Sequence, residues 1–139
     1  MKKTTLLILL LFLGYGLKAD IFIVTTTNDY GPGSLREAIK KANKNPGEDV
    51  ILFNIPSDDQ GFSGSLGTVN AFVICPKSKL PVIKEALTIN GSSQTFYTGD
   101  SNMDGAEIII CYDVGEDKMT KGVATVNIRY VEIVGSGQM

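Results

Sequence analysis

The sequence predicts an all-β chain, a β-solenoid whose first coil is covered by one short amphipathic helix. Three observations carry that expectation. From residue 50 onward the apolar runs are short and β-branched, with starts at 50, 71, 86, 107 and 123. The segments between them are long and uneven, unlike the two-residue loops of hairpins. Several runs, such as Ile108-Ile109-Ile110, are apolar without alternation, as strands covered on both faces are. A sandwich of antiparallel strands with tight hairpins is the competing architecture.

The chain opens with Lys2 and Lys3, an apolar run from Leu6 to Leu13, two glycines and a small residue at Ala19. That order is a secretory signal peptide over residues 1–19. The run is too short to span a bilayer, which takes about 20 apolar residues. An uncleaved membrane anchor is the alternative. Leu17, third before the cut, is larger than signal peptidases prefer.

Next, Ile21 to Thr27 is β-branched and aromatic, a strand. Asn28-Asp-Tyr-Gly-Pro-Gly33 is a dense turn signal. Ser34 and Glu37 have the spacing of a capping box. Leu35, Ala38, Ile39 and Ala42 form one apolar stripe, and Asn45-Pro46-Gly47 stops the pattern. The spacing predicts a helix over 35–44. Strands are expected at 50–53, 71–75, 86–90, 107–112 and 123–134, with turn clusters at 57–67, 76–81, 91–105 and 115–122 and no further helix. Within the last run the alternation shifts phase at Arg129-Tyr130, as a corner between two sheets requires. Laid over an open first coil, the apolar stripe of the helix would protect an exposed edge. The chain stops soon after a strand, at Gly135-Ser-Gly-Gln-Met139, and reads as the first part of a longer protein or a truncated product.

The stretch Val24-Thr-Thr-Thr-Asn-Asp-Tyr-Gly-Pro-Gly-Ser-Leu-Arg-Glu-Ala-Ile39, with Ala42-Asn43 and Val50-Ile-Leu-Phe53, resembles the N-terminal segment of bacterial right-handed parallel β-helix surface proteins with a CSLREA-type domain. Leu87 to Gln94 and Tyr130 to Gly135 resemble the first coils of that helix. Gly33 stands where many relatives carry cysteine, so no disulfide can form from that position. The resemblance implies a fold, the right-handed parallel β-helix of the pectin-lyase-like class, and a cell-surface or secreted location. The organisation expected is residues 1–19 as signal peptide, 20–56 as a strand-helix-strand cap, and 57–139 as first, C-terminally incomplete β-helix coils. It fixes no activity, because such folds host adhesins, lyases and passive stalks alike.

Composition narrows the chemistry. Without residues 1–19 the charge is 10 basic against 15 acidic, or −5. A nucleic-acid partner, which wants a basic face, is not expected. Histidine and tryptophan are absent. A Ser-His-Asp triad, a Cys-His pair and a histidine zinc site are excluded. Cys75 and Cys111 fit either a disulfide in an oxidising compartment or two small buried thiols.

Asp100-Ser-Asn-Met-Asp-Gly105 opens like a calcium loop, with Asp100, Asn102 and Asp104 as alternate oxygen ligands. Cys111 occupies the twelfth position, where a bidentate Glu belongs; Glu107 or Asp113 would have to serve. A plain polar turn is the competing reading. The resemblance allows Arg129 as the base of a polysaccharide lyase, against a solvated strand arginine. Arg36 reads as a helix-surface charge or capping contact, and Asp58-Asp59 and Glu116-Asp117 as solvated loop acids. Phe96-Tyr97 is either a sugar-stacking pair or folded back on the chain. No catalytic constellation is evident and no cofactor beyond calcium. The expected function is structural: an adhesive or scaffold-like part of an exported protein, binding a surface polysaccharide or another extracellular ligand. Membrane contact is expected only through the signal peptide during export. The alternative is the start of a carbohydrate-active enzyme.

Overall fold

The structure is a computed structural model that describes residues 18–63, 70–103, 105–112, 126–129 and 131–135. The expected signal peptide lies outside the described residues, apart from Lys18 and Ala19. So do the acids Asp104, Asp113, Glu116 and Asp117.

The elements in chain order are β1 (Ile21–Val24), α1 (Leu35–Ala42), β2 (Asp49–Phe53), β3 (Phe72–Ile74), β4 (Leu87–Asn90), α2 (Ser92–Thr98), β5 (Ile108–Tyr112), β6 (Val126–Arg129) and β7 (Val131–Gly135). They form two small parallel sheets, one ordered β1-β2-β4-β6 and the other β3-β5-β7. The expectation of an all-β, right-handed parallel β-helix is therefore corrected. The described residues make a small α/β protein, with two helices and two small sheets that neither close nor continue as a solenoid. Strand spacing misled because the same spacing serves any parallel sheet whose strands are joined by crossovers. The second helix was hidden in a polar stretch, Ser92-Ser-Gln-Thr-Phe-Tyr-Thr98, that carries no apolar stripe.

The register is parallel throughout. Ile21 faces Val50, Asp49 faces Leu87, Leu87 faces Val126, and Ile108 stands between Phe72 and Val131. The run expected at 123–134 divides: β6 ends at Arg129 in the first sheet and β7 begins at Val131 in the second. Alternation in β2 buries Asp49, Ile51 and Phe53, and in β4 Leu87 and Ile89.

Helix α1 forms because its cap and its stripe agree. Ser34 is extended, at φ −76° and ψ 154°, and its Oγ accepts from the Glu37 amide. Only that half of the capping box is made, since the Ser34 amide donates to Gly31 O instead. Leu35, Ala38, Ile39 and Ala42 are buried and join Val24, Ile51, Phe53 and Ile89 in one core. The entry turn depends on Gly33, which sits at φ +81°, where a Cβ would lie 2.2 Å from Thr25 Oγ1. Any side chain there, cysteine included, would meet both a left-handed backbone and a steric clash.

Ile39 is fully buried and Lys40 exposed. Replacing Ile39 with alanine should lower the unfolding free energy by about 2–5 kcal/mol. Lys40→Ala should change it by no more than about 0.5 kcal/mol. Denaturant unfolding of the two variants checks this; equal midpoints would mean that α1 is not packed on the sheet.

Candidate functional site

Two of the charged residues singled out, Arg36 and Asp59, lie in or beside the loops flanking α1. Arg36, in the first turn of α1, is not a surface charge: only 6% of it is exposed. Its Nε and Nη2 donate to Asp29 Oδ1 at 2.9 and 2.6 Å. Nη2 also reaches Ser78 O and Nη1 reaches Lys79 O, each at 2.6 Å. The Tyr30 ring lies 4.7 Å from the guanidinium carbon, and its hydroxyl bonds Ser78 Oγ at 2.6 Å. Asp29 Oδ2 accepts from the Lys77 amide at 2.9 Å, so both oxygens of this buried carboxylate are used. One ion pair thus ties the entry turn, the helix and the 77–79 loop together.

Asp59 is a second hub where a solvated loop acid was expected. It accepts from Thr26 Oγ1, from the Thr27 amide and hydroxyl, and from the Gly61 amide. Burial pushes its carboxyl up, but the bonds from Thr27, Gly61 and Thr26 together outweigh burial and hold it below the ordinary carboxylate value. These bonds also end β1, because Thr26 and Thr27 turn toward Asp59 and the Thr25 amide pairs with Gly33 O.

Between the two hubs lies an open depression of about 460 Å³, lined by Asn28, Tyr30, Gln60, Val73, Cys75 and Lys77 among others. Cys75, in its lining, is bonded to Cys111, with 4.6 Å between the Cα atoms. The two cysteines continue the β3–β5 register by one residue, which is why they meet. Closing this 36-residue separation stabilises the fold by roughly 4 kcal/mol in the chain-entropy model. With Asp29 and Asp59 spent on structure, the depression offers hydrogen bonding and one aromatic ring rather than a free acid-base pair.

No protein-family model, curated protein or solved structure matches this chain. The reading of its surface therefore rests on geometry.

Of the candidate calcium ligands, Asp100 is exposed, Asn102 is half-buried, and Asp104 lies outside the described residues. Asn102 Nδ2 donates to Ala106 O at 2.9 Å. Glu107, the substitute ligand, is buried and already engaged. It accepts from the Ser101 amide and hydroxyl at 2.8 and 2.5 Å and from the Asn102 amide at 3.1 Å. Among the described residues no three His, Cys, Asp or Glu side chains group as a metal site would. Arg129 is in β6, with its side chain outside the description.

Phe96 and Tyr97 are not folded back. Phe96 is 84% exposed and Tyr97 48%, with their rings edge to face at 5.5 Å. What holds their helix is Gln94, fully buried, whose Oε1 and Nε2 bond the Ile55 amide and carbonyl at 2.8 Å each. Ser93 Oγ accepts from the Phe53 amide. Sequence reasoning gave Gln94 and Asp29 no role, and read Arg36 as a helix-surface charge or capping contact and Asp59 as a solvated loop acid. The readable signal was slight: Ser-Ser-Gln after Asn90-Gly91, and an arginine adjoining an apolar stripe.

Removing Arg36 leaves Asp29 buried without its partner. Arg36→Met should cost about 3–5 kcal/mol, and adding Asp29→Leu should restore part of the loss. A double-mutant cycle by thermal or urea unfolding checks this; additive losses would show that the pair is not coupled.

Because the Asp59 carboxyl is held below its unfolded value of 3.8, its contribution is fully present above that value and is lost as pH falls through the folded value. Acid unfolding of Asp59→Asn against the parent chain should show a shallower dependence on pH below about 4 in the variant. Superimposable curves would remove Asp59 from the acid response.

Proposed function

We propose that this chain is a structural, adhesive or scaffold-like part of an exported protein, which holds an extracellular polysaccharide at exposed aromatic side chains. The observation that carries this reading is the Phe96–Tyr97 pair, exposed on a helix whose own anchor is buried. Exposed aromatic rings lose little conformational entropy when a sugar face stacks on them. Met103, 87% exposed, adds apolar surface a few residues on. Among the buried charged side chains, Arg36 and Asp29 bind the entry turn and the 77–79 loop to α1 and Glu107 braces its own loop, which suits a rigid carrier.

Three further observations support an extracytoplasmic place. The Lys2 to Ala19 order is that of a signal peptide. The Cys75–Cys111 disulfide is the kind of bond that oxidising compartments maintain. Ser34-Leu-Arg-Glu-Ala-Ile39 resembles the CSLREA-type segment of bacterial surface proteins. Among the described residues no helix is long and apolar enough to cross a membrane.

Retention on insoluble cell-wall or capsular polysaccharide tests the reading. The Phe96→Ala, Tyr97→Ala double variant should bind about tenfold more weakly, a loss of ~1.4 kcal/mol. Its melting temperature should stay unchanged, because both rings are solvent-facing. Equal retention by parent and variant, or no retention by either, would defeat it.

A further inference from the structure

Asp49 is a fully buried carboxylate at the start of β2 with one oxygen unsatisfied. Its Oδ1 accepts from the Asp20 amide at 2.8 Å and from Asn45 Nδ2 at 2.7 Å. Its Oδ2 has no partner. A buried anion served by two neutral donors at one oxygen and by none at the other is costly. The nitrogen it already touches belongs to the residue after the expected signal-peptide cut.

We propose that Asp49 is the docking site for a new N-terminus, the α-ammonium group created on Asp20 when the Ala19–Asp20 bond is cleaved. The inference rests on the export reading. Water supplies the balance: the Ala19 carbonyl carbon takes hydroxide and leaves as a carboxylate, and the Asp20 nitrogen takes the proton. At neutral pH that amine binds another proton. An amide with one N–H becomes a cation with three, beside a carboxylate with a vacant acceptor. The buried charge gains a counter-charge and Oδ2 gains a donor.

The geometry is ready before the cut. The Val50 amide bonds Asp20 O at 3.0 Å, and the Asp49 amide bonds Ala86 O at 3.1 Å, which fixes both partners in the first sheet. What leaves is peripheral. Lys18 forms an ion pair with Asp20 at 3.2 Å while 80% exposed, bonds Pro46 O, and accepts from Asn45 Nδ2 at 2.9 Å. Asn45 keeps its bond to Asp49. Of the charged residues adjoining this pair in sequence or beside Ala86, the Asp20 side chain, Glu48 and Glu85 are acidic and favour the ammonium form. Lys44 and Lys84 are exposed neighbours in sequence that oppose it.

The chain lends itself to the test. It has no histidine and both cysteines are bonded, so the α-amino group alone ordinarily titrates between pH 6 and 9. Residues 20–139 are prepared with a free Asp20, with an acetylated Asp20, and with Ala19 retained. The amine is followed by NMR after 13C-methylation, and melting by calorimetry. The α-amino pKa in the Asp20 chain should stand at least about one unit, a tenfold change in proton affinity, above the ordinary 7.7–8.0. Asp49→Asn should return it to that range. A raised folded pKa gives stability that is complete below the unfolded value and lost as pH rises through the folded one. That step should be present with a free Asp20 and absent from the acetylated and Ala19-retained chains, a comparison that stands even if Asp49→Asn does not fold. An ordinary α-amino pKa, or identical pH profiles for the three chains, would overturn the proposal. N-terminal sequencing of the product made by cells separates it from the export reading. A start at Asp20 supports both. An exported product starting elsewhere overturns the docking site and leaves export standing. A cytoplasmic chain retaining Met1 overturns export, and with it the cut.

Discussion

The guanidinium of Arg36 ties its own helix to two other chain segments at once. Its planar fork pairs with the Asp29 carboxylate and reaches the carbonyls of Ser78 and Lys79, with the Tyr30 ring against it. A lysine ammonium has no such planar geometry and could not serve these acceptors together. Because Arg36 lies in the first turn of α1, this contact sets where the helix begins relative to the strands it covers. Leu35 on one side and Ala38 and Ile39 on the other then fall onto β1 and β2. The same contact orders the loop that follows Cys75, so the disulfide and the ion pair brace one region from its two ends.

Elsewhere the fold solves a single problem repeatedly. Parallel strands require long crossovers, and long crossovers leave backbone amides without ladder partners. Side chains take the place of those partners. Asp59 receives the amides of Thr27 and Gly61, Glu107 those of Ser101 and Asn102, and Gln94 imitates a neighbouring strand for both polar groups of Ile55. Residues that look like functional polar groups in the sequence are thereby drawn into the scaffold. The aromatic pair on α2 is not, and this contrast makes it the better candidate for contact with a ligand. Asp49 differs again: one of its oxygens does scaffold work while the other is left over.

Local signals were legible wherever neighbouring residues decide the outcome. The Ser34 cap, the stripe from Leu35 to Ala42, the turn at 28–33 and the cores of the strands depend on residues within one or two turns of each other. The parallel pairing followed from missing hairpins. The phase shift at Arg129-Tyr130 marked where β6 gives way to β7 in the other sheet. What the strand spacing did not contain was the way the sheets end. Near-regular spacing suits a solenoid and a small α/β fold equally.

The sequence by itself determined a helix beginning at residue 35, expected to reach 44 and ending in the structure at Ala42, the apolar strands, the exclusion of histidine chemistry and the order of basic, apolar and small residues at the start. These are properties of composition and short-range period. Only the tertiary structure decided that Arg36 is buried, that Asp29 and Asp59 are hubs, that Cys75 and Cys111 are joined, that Ser92–Thr98 is a helix and that Asp20 meets Asp49. Each of these joins groups 7 to 48 residues apart, or depends on such a contact. A hydrogen bond or ion pair forms only at the few ångströms that packing enforces. That distance is set by the register of the sheets and the seating of the helices, which no local pattern encodes.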